Sequence, residues 1–328
     1  ILISRLPKLL KTAIFSQSPS IFGILKNMKF TIVTPVYNGE KYIAETIESV
    51  LSQEGDFEIE YLVQDGASTD KTIEIVKSYA NRVNAGKYPI HCKKVTMQYF
   101  SEKEAGMYDA INKGFIGATG DIYAYINADD YYLPNSFSVI ARTFMAFPSL
   151  LWVKGGSCII NENGSLIRHA SHFIFNQKWI QSGIYGRYAY FIQQESVFWR
   201  KFLWDKIDSL HFIAHTHAGD YWLWAQFARH TPLYTIDKEV SCFRRVSTSL
   251  SNIDHGLQYR REQEKIIPPV HSWFENKIKF FFWLSKKLNH LETIWVFIYP
   301  HLFKDRQKQY IHMSKSASAI KETRSYFI

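Results

Sequence analysis

The 328-residue chain is 46% hydrophobic and 21% charged, a globular balance that excludes a largely disordered polypeptide and leaves room for one large domain or two modest ones. Its net charge of +9 is uneven: residues 1–29 carry five Lys/Arg and no acid, residues 260–328 carry thirteen against six, and the body between holds 21 against 24. Basic ends rich in Phe, Trp, Ile and Leu argue against nucleic acid as a partner and suit an anionic membrane surface.

Residues 1–27 contain no acid, and Met28 directly precedes the first strong strand signal, so this stretch reads as a basic N-terminal extension (1–28) and not as a signal peptide. From Lys29 strands and helices alternate. Phe30 to Thr34 is an apolar β-forming run ended by Pro35. Gly39 to Ser52 has helical spacing at Ile43, Ile47, Val50 and Leu51. Ile59 to Val63 is a second strand, closed by Asp65-Gly66. Ser68-Thr69-Asp70 then caps a helix with Ile73, Val76 and Tyr79 on its inner face. Val95 to Phe100, Met107 to Ile116 and Ile122 to Ile126 read as strand, helix and strand. Asn127-Ala128-Asp129-Asp130 follows, and a further helix starts after Pro134.

Repeated strand–helix units with continuous apolar strands imply an α/β fold with a mostly parallel, doubly wound sheet, whose ligands gather at the carboxyl ends of the strands. Tyr37, Asp65, Asp129 and Asp130 all lie just past strand ends. Beyond 150 the alternation loosens. Trp152 to Ile160 and Ser165 to Arg168 read as strands, Arg200 to Ile207 and Asp220 to Arg229 as helices, and Val240 to Phe243 as a strand. After about 258 the chain becomes helical, aromatic and basic to roughly 310. No apolar run approaches the ~20 residues that span a bilayer. The aromatic content, 16% of the chain, suits ring-lined ligand sites or a membrane-facing surface. Cys92, Cys158 and Cys242 are few and far apart, which favours unpaired thiols in a reducing compartment.

Adjacent carboxylates such as Asp129-Asp130 repel, and a hard divalent cation with phosphate ligands relieves them; the alternative is a helix-capping pair. Asp65 can accept from a ligand base or close a turn. Tyr37 can stack on a nucleobase or pack against the sheet edge. Asp70 reads as a cap. The absence of G-x-G-x-x-G after the first strand and of a G-K-[ST] loop disfavours the ordinary dinucleotide and P-loop modes. His211, His215 and His217 have neither the H-E-x-x-H nor the finger spacing of a zinc site, and read as an acceptor-facing loop.

Four segments occur in order: Thr34-Pro35-Val36-Tyr37-Asn38-Gly39-Glu40, Gln64 to Asp70, Glu102 to Gly114, and Asn127 to Asp130. Together they resemble the bacterial family 2 glycosyltransferases of the A-type nucleotide-diphospho-sugar fold, over roughly residues 29–250. The resemblance implies inverting transfer from a nucleoside-diphosphate sugar, with Mg²⁺ or Mn²⁺. It places Thr34, Pro35, Tyr37, Glu40 and Asp65 around the base and ribose. Gly106, Asp109, Asn112 and Lys113 line the donor, Asp129 lies near the donor sugar or ribose, and Asp130 binds the metal. Asn127 stands where the family's Asp-x-Asp pattern has its first acid. Asp220, in Ala218 to Trp224, matches the family's catalytic base, with Glu195 as the competing candidate. Arg244 and Arg245 are candidates to clamp the diphosphate.

This reading makes residues 29–257 the catalytic domain, with a nucleotide-sugar half (29–130) and an acceptor half (131–257). Residues 258–328 become a basic aromatic tail. Trp273, Phe274, Phe280 to Leu284 and the interleaved lysines suit peripheral attachment to the inner face of the cytoplasmic membrane, so the acceptor is expected to be a saccharide linked to polyprenyl diphosphate. Two alternatives stay open: a sugar-1-phosphate nucleotidyltransferase, and an inactive scaffold of the same fold.

Overall fold

Strand β1 (Met28–Val36) is buried along its length except at Lys29, because both faces of the sheet are covered. The computed structural model describes residues 28–170, 174–187, 191–247, 256–268, 276–277, 279–280, 310–313 and 320–323. In it β1 pairs in parallel with β2 (Glu54–Asp65) on one side and β4 (Ile122–Tyr125) on the other, and β3 (His91–Ser101) lies parallel outside β2. Helices α1 (Ile43–Leu51), α2 (Thr72–Asn84) and α3 (Met107–Phe115) form the crossovers. Ile43, Ile47, Val50 and Leu51 are buried, as the spacing predicts.

Strand β1 runs two residues past the expected break, through Pro35. Pairing with β4 stops at Val33↔Tyr125, and the Ile126 amide takes the Val33 carbonyl. Alternate residues of a strand address opposite neighbours, so position 35 faces the side where β4 has already ended, and no amide hydrogen is needed there.

Beyond β4 the sheet changes sense. β8 (Val197–Arg200) is antiparallel to β4, β6 (Trp152–Ile160) is antiparallel to β8, and β9 (Tyr234–Arg244) is parallel to β6. The main path runs β11 (Ile320–Thr323), β10 (Tyr310–Met313), then β9-β6-β8-β4-β1-β2-β3, with β5 (Tyr131–Tyr132) on β9 and β7 (Leu166–His169) on β6. The α/β expectation holds; the parallel half is β3-β2-β1-β4 and the remainder is mixed. β10 and β11 extend the sheet in a region read as a polar end to a helical tail.

Among the described residues the aromatic rings go largely to a third destination, the core. Phe30, Phe57 and Phe137 meet edge-on and stacked at 4.9–6.1 Å, where α4 (Ser136–Ala146) covers the sheet. Trp152, Trp199, Trp224 and Phe227 form a second group beneath α8 (Gly219–Ala228). The predicted helix at 200–207 shortens to α6 (Lys201–Trp204), followed by α7 (Ser209–Ile213); α5 (Gln177–Gln181) and α9 (Leu257–Ile266) complete the helices named here.

The cysteine expectation is corrected. Cys158 on β6 and Cys242 on β9 are direct register partners, buried and joined as a disulfide with Cα atoms 4.4 Å apart; Cys92 is free. Parallel strand pairing unites residues 84 apart, which spacing alone did not reveal. Most of the proposed membrane-facing stretch at 273–284 lies outside the described residues. Among the described residues no helix is long and apolar enough to cross a membrane.

Candidate active site

Strand register fixes the site. Val36 is level with Asp65 and Asp65 with Ser101, so three parallel strands end together. β4 ends on the same edge and releases Asn127 to Asp130. The antiparallel β8 begins there, preceded by the short 3₁₀ turn Gln194–Ser196, and β6 and β9 finish there at Ile160 and Arg244. Seven strands thus deliver polar residues to one rim.

Asp65 is fully buried and accepts from the Ser68 amide and from the hydroxyls of Ser68 and Ser101. Tyr37, 65% exposed, stands beside Gly66. Thr34 is buried with its hydroxyl 3.1 Å from that of Tyr61, and Pro35 lies inside β1. Glu40 accepts from the Lys71 amide at 2.9 Å, while Asp70 accepts from the Glu40 and Thr72 amides. These contacts tie the first two strand–helix loops together, so Glu40 acts as a brace there.

Gly106 takes φ +154° at the start of α3, and Asp109 caps the turn by accepting from the Ala105 amide. Asn112 is half-buried on the same helix. Lys113 is paired with Glu102 at 2.9 Å, Glu104 at 2.6 Å and Asp109 at 3.4 Å, so its charge is already more than matched. These carboxylate hydrogen bonds raise its pKa.

The Asp129-Asp130 pair divides. Asp130 is buried, with Oδ1 accepting from the Arg244 amide at 2.8 Å and Oδ2 from Gln194 Nε2 at 3.4 Å. Burial, and then the Asp129 charge, push its carboxyl well above the usual range. Asp129 is only part-buried, and among the described residues no other residue donates to its carboxylate; burial raises its pKa while Arg244 opposes. Of the two, Asp130, expected to hold the metal, is the more enclosed carboxylate and Asp129 the better presented. Arg244, a candidate diphosphate clamp, is already engaged. Its guanidinium is buried against Glu45 and the carbonyls of Asp129 and Glu162, over the Tyr42 ring at 4.6 Å. Arg245 is exposed on the same rim.

Three buried acceptor oxygens near this pair lack a hydrogen-bond partner: Asn127 Oδ1, Gln194 Oε1 and Glu195 Oε2. Hard oxygen donors left over in this way fit a divalent cation that completes its shell with phosphate oxygens. Among the described residues no three His, Cys, Asp or Glu side chains converge as a complete cage. Among the described residues Asp65, Asp130 and Asp220 thus form no common ion-binding cluster.

Glu195 is buried, bonded to the Ser157 hydroxyl, with its pKa raised by burial. Its electrostatic partner is the fully buried Lys154, which burial brings down to about 8. Asp220, by contrast, lines a small hollow with Tyr185, Phe191, Tyr221, Trp224 and Tyr259 among others. Its Oδ1 accepts from the Tyr221 amide at 2.8 Å, Tyr259 at 2.9 Å and Tyr108 at 3.5 Å. Oδ2 accepts from no described donor. Burial lifts the carboxyl to about 6 and these donors restrain it. His215 and His217 bond Glu262, and His211 bonds Asp208. Sequence reasoning missed Tyr108, Lys154, Tyr259 and Glu262; each gains its meaning from a distant segment, and no local pattern marks it.

A family model described as "Glycosyl transferase family 2" matches residues 31–205. The chain is 33% identical over 107 residues to the poly(ribitol-phosphate) beta-N-acetylglucosaminyltransferase TarS of Staphylococcus aureus, covering 32% of this chain and 17% of the relative. It is 32% identical over 140 residues to a dolichyl N-acetyl-alpha-D-glucosaminyl phosphate 3-beta-D-2,3-diacetamido-2,3-dideoxy-beta-D-glucuronosyltransferase of Methanococcus voltae, covering 41% of each. The chain thus spans well under half the length of these relatives. The crystal structure of S. aureus TarS 1–349 in complex with UDP-GlcNAc superposes with a TM-score of 0.50 at 18% identity, covering 82% of this chain and 76% of that one, a likeness of fold.

Proposed function

The chain belongs to glycosyl transferase family 2, and on that premise we propose that it moves a sugar, with inversion, from a nucleoside-diphosphate sugar to a hydroxyl of a saccharide acceptor. The observation that carries this reading is Asp220. One of its oxygens is anchored by three donors, the other accepts from no described donor, the residue lines an aromatic hollow, and burial lifts its carboxyl to about 6, so at neutral pH it is an ionised base. Oδ2 takes the acceptor hydroxyl proton as the oxygen attacks the anomeric carbon, and the nucleoside diphosphate departs from the opposite face. Tyr37 offers a ring for the base, with Asp65 behind it.

Asp129 is the residue assigned to Mg²⁺ or Mn²⁺, with Asp130 as its brace. Bound there, such an ion neutralises charge on the leaving diphosphate. The UDP-GlcNAc complex of TarS supports a nucleotide-sugar donor. We further assign an acceptor linked to polyprenyl diphosphate and peripheral attachment to an anionic membrane. The basic, aromatic tail supports this, as does the dolichyl acceptor in the archaeal relative's name.

The test is a panel of nucleotide sugars, UDP-GlcNAc first, assayed for donor cleavage and transfer with Mg²⁺ or Mn²⁺. Asp220→Asn is expected to lower transfer at least ~10²-fold while UDP-GlcNAc binding persists. Asp129→Ala is expected to abolish metal-dependent transfer, and undiminished transfer counts against the assignment. Full transfer by Asp220→Asn sinks the base assignment, and release of diphosphate from a nucleoside triphosphate with a sugar phosphate favours the nucleotidyltransferase instead.

A further inference from the structure

Helix α9 lies beyond the stretch matched by the family model, yet it reaches the candidate base. Tyr259 donates to Asp220 Oδ1 at 2.9 Å, lines the same cavity, and meets the Phe191 ring edge-on at 5.6 Å. Three residues along the same helix face, Glu262 accepts from three consecutive amides: Thr216 at 2.8 Å, His217 at 2.6 Å and Ala218 at 3.1 Å. Those amides form the entry to α8, the helix on which Asp220 is the second residue. Burial works against the Glu262 charge, but His215 and the amides hold its carboxyl at about 2. One helix thus grips both the loop that carries Asp220 and the carboxylate itself.

We propose that Tyr259 is a positioning residue for Asp220: its hydroxyl holds Oδ1 so that Oδ2 alone faces the cavity, and Glu262 latches α9 in the place that makes this contact. The proposal rests on the reading of Asp220 as base. Without the Tyr259 hydroxyl, Oδ1 keeps the Tyr221 amide and a long contact to Tyr108, whose hydroxyl is also 3.0 Å from the His217 carbonyl. The carboxylate then turns more freely about its last bond, and its ionised form loses a donor. The titratable groups facing Asp220 are Tyr108 from α3, Tyr125 from β4, Tyr259 from α9 and Tyr221 on its own helix, with Glu262 behind Tyr108 and Arg187 bonded to the Tyr221 hydroxyl. The phenols of Tyr108, Tyr125 and Tyr259 are buried and their pKa values are raised, so they stay neutral across the range in which Asp220 titrates.

The experiment labels the full chain with [γ-¹³C]aspartate and identifies the Asp220 signal by its loss in Asp220→Asn. Titration without substrate is expected to show the Asp220 midpoint rising by about one unit in Tyr259→Phe, and by less in Tyr108→Phe. With UDP-GlcNAc as donor probe, Tyr259→Phe is expected to lower kcat severalfold, leave the donor KM within about twofold, and move the acid limb of the rate profile up by the same interval. Replacing Tyr259 with 3,5-difluorotyrosine keeps the ring and strengthens the donor, so the midpoint falls; this serves if Tyr259→Phe does not fold. An unmoved midpoint in either Tyr259 variant, or an equal shift in Tyr108→Phe, overturns the proposal even if Asp220→Asn is inactive. Full transfer by Asp220→Asn instead overturns the base reading, and the substrate-free midpoint tells the two failures apart.

Discussion

Asp220 combines a buried setting with a working charge, and the cost of that combination is measurable. Its folded-state midpoint of about 6 lies above the ordinary aspartate value near 4, so the native state binds the proton more tightly than the unfolded chain does. Stability from this group is fully present below about pH 4 and is lost as pH rises through 6. Asp220→Asn is therefore expected to be more stable than the parent at pH 8, by on the order of 2 kcal/mol, with the gain vanishing below pH 4. Urea unfolding at the two pH values checks this, and a gain of equal size at both contradicts it. Asp65, Asp129, Asp130 and Asp220 were all legible as candidates, because acids at strand ends and helix starts announce themselves in the chain. Their division of labour was not. Asp130 differs from its neighbour in being buried and in receiving the Gln194 side chain and the Arg244 amide, the latter from 114 residues away.

Strand β9 is the element that organises the acidic rim. Its last residue, Arg244, contributes an amide to Asp130 and a guanidinium to Asp129, Glu45 and the 161–162 turn. Removing that buried cation leaves the acids of the rim without their nearest positive charge. Arg244→Ala is expected to destabilise by about 3–5 kcal/mol, and Arg244→Lys to recover only part, since a single ammonium cannot reach the same set of acceptors. Denaturant titration decides, and a loss under ~1 kcal/mol counts against a bracing role. The strand itself was foreseen over 240–243, where apolar residues mark it; the earlier part, with Asp237 and Glu239, reads as polar. It is a strand because β6 supplies a parallel partner along most of its length.

Across the whole molecule, the mixed half of the sheet locks two distant segments through Cys158–Cys242. The bond closes a loop of 84 residues, which in the unfolded chain restricts a large ensemble. Replacing both cysteines with serine is expected to cost about 2–4 kcal/mol, read as a lowered thermal midpoint that a thiol reductant reproduces in the parent protein but not in the variant. An identical midpoint in oxidised and reduced parent rules this out.

The sequence by itself determined the alternation of strands and helices from Lys29 to about Ala146, the edge on which ligands gather, and the acids found there. These features are local: apolar periodicity selects the element, and chain direction sets which end of a parallel strand its loop leaves. Only the tertiary structure decided that β8 runs against β4, that the cysteines meet, that most of the described rings serve the core, and that α9 reaches Asp220. Those outcomes depend on which distant surfaces bury each other, and no short-range pattern encodes the partner.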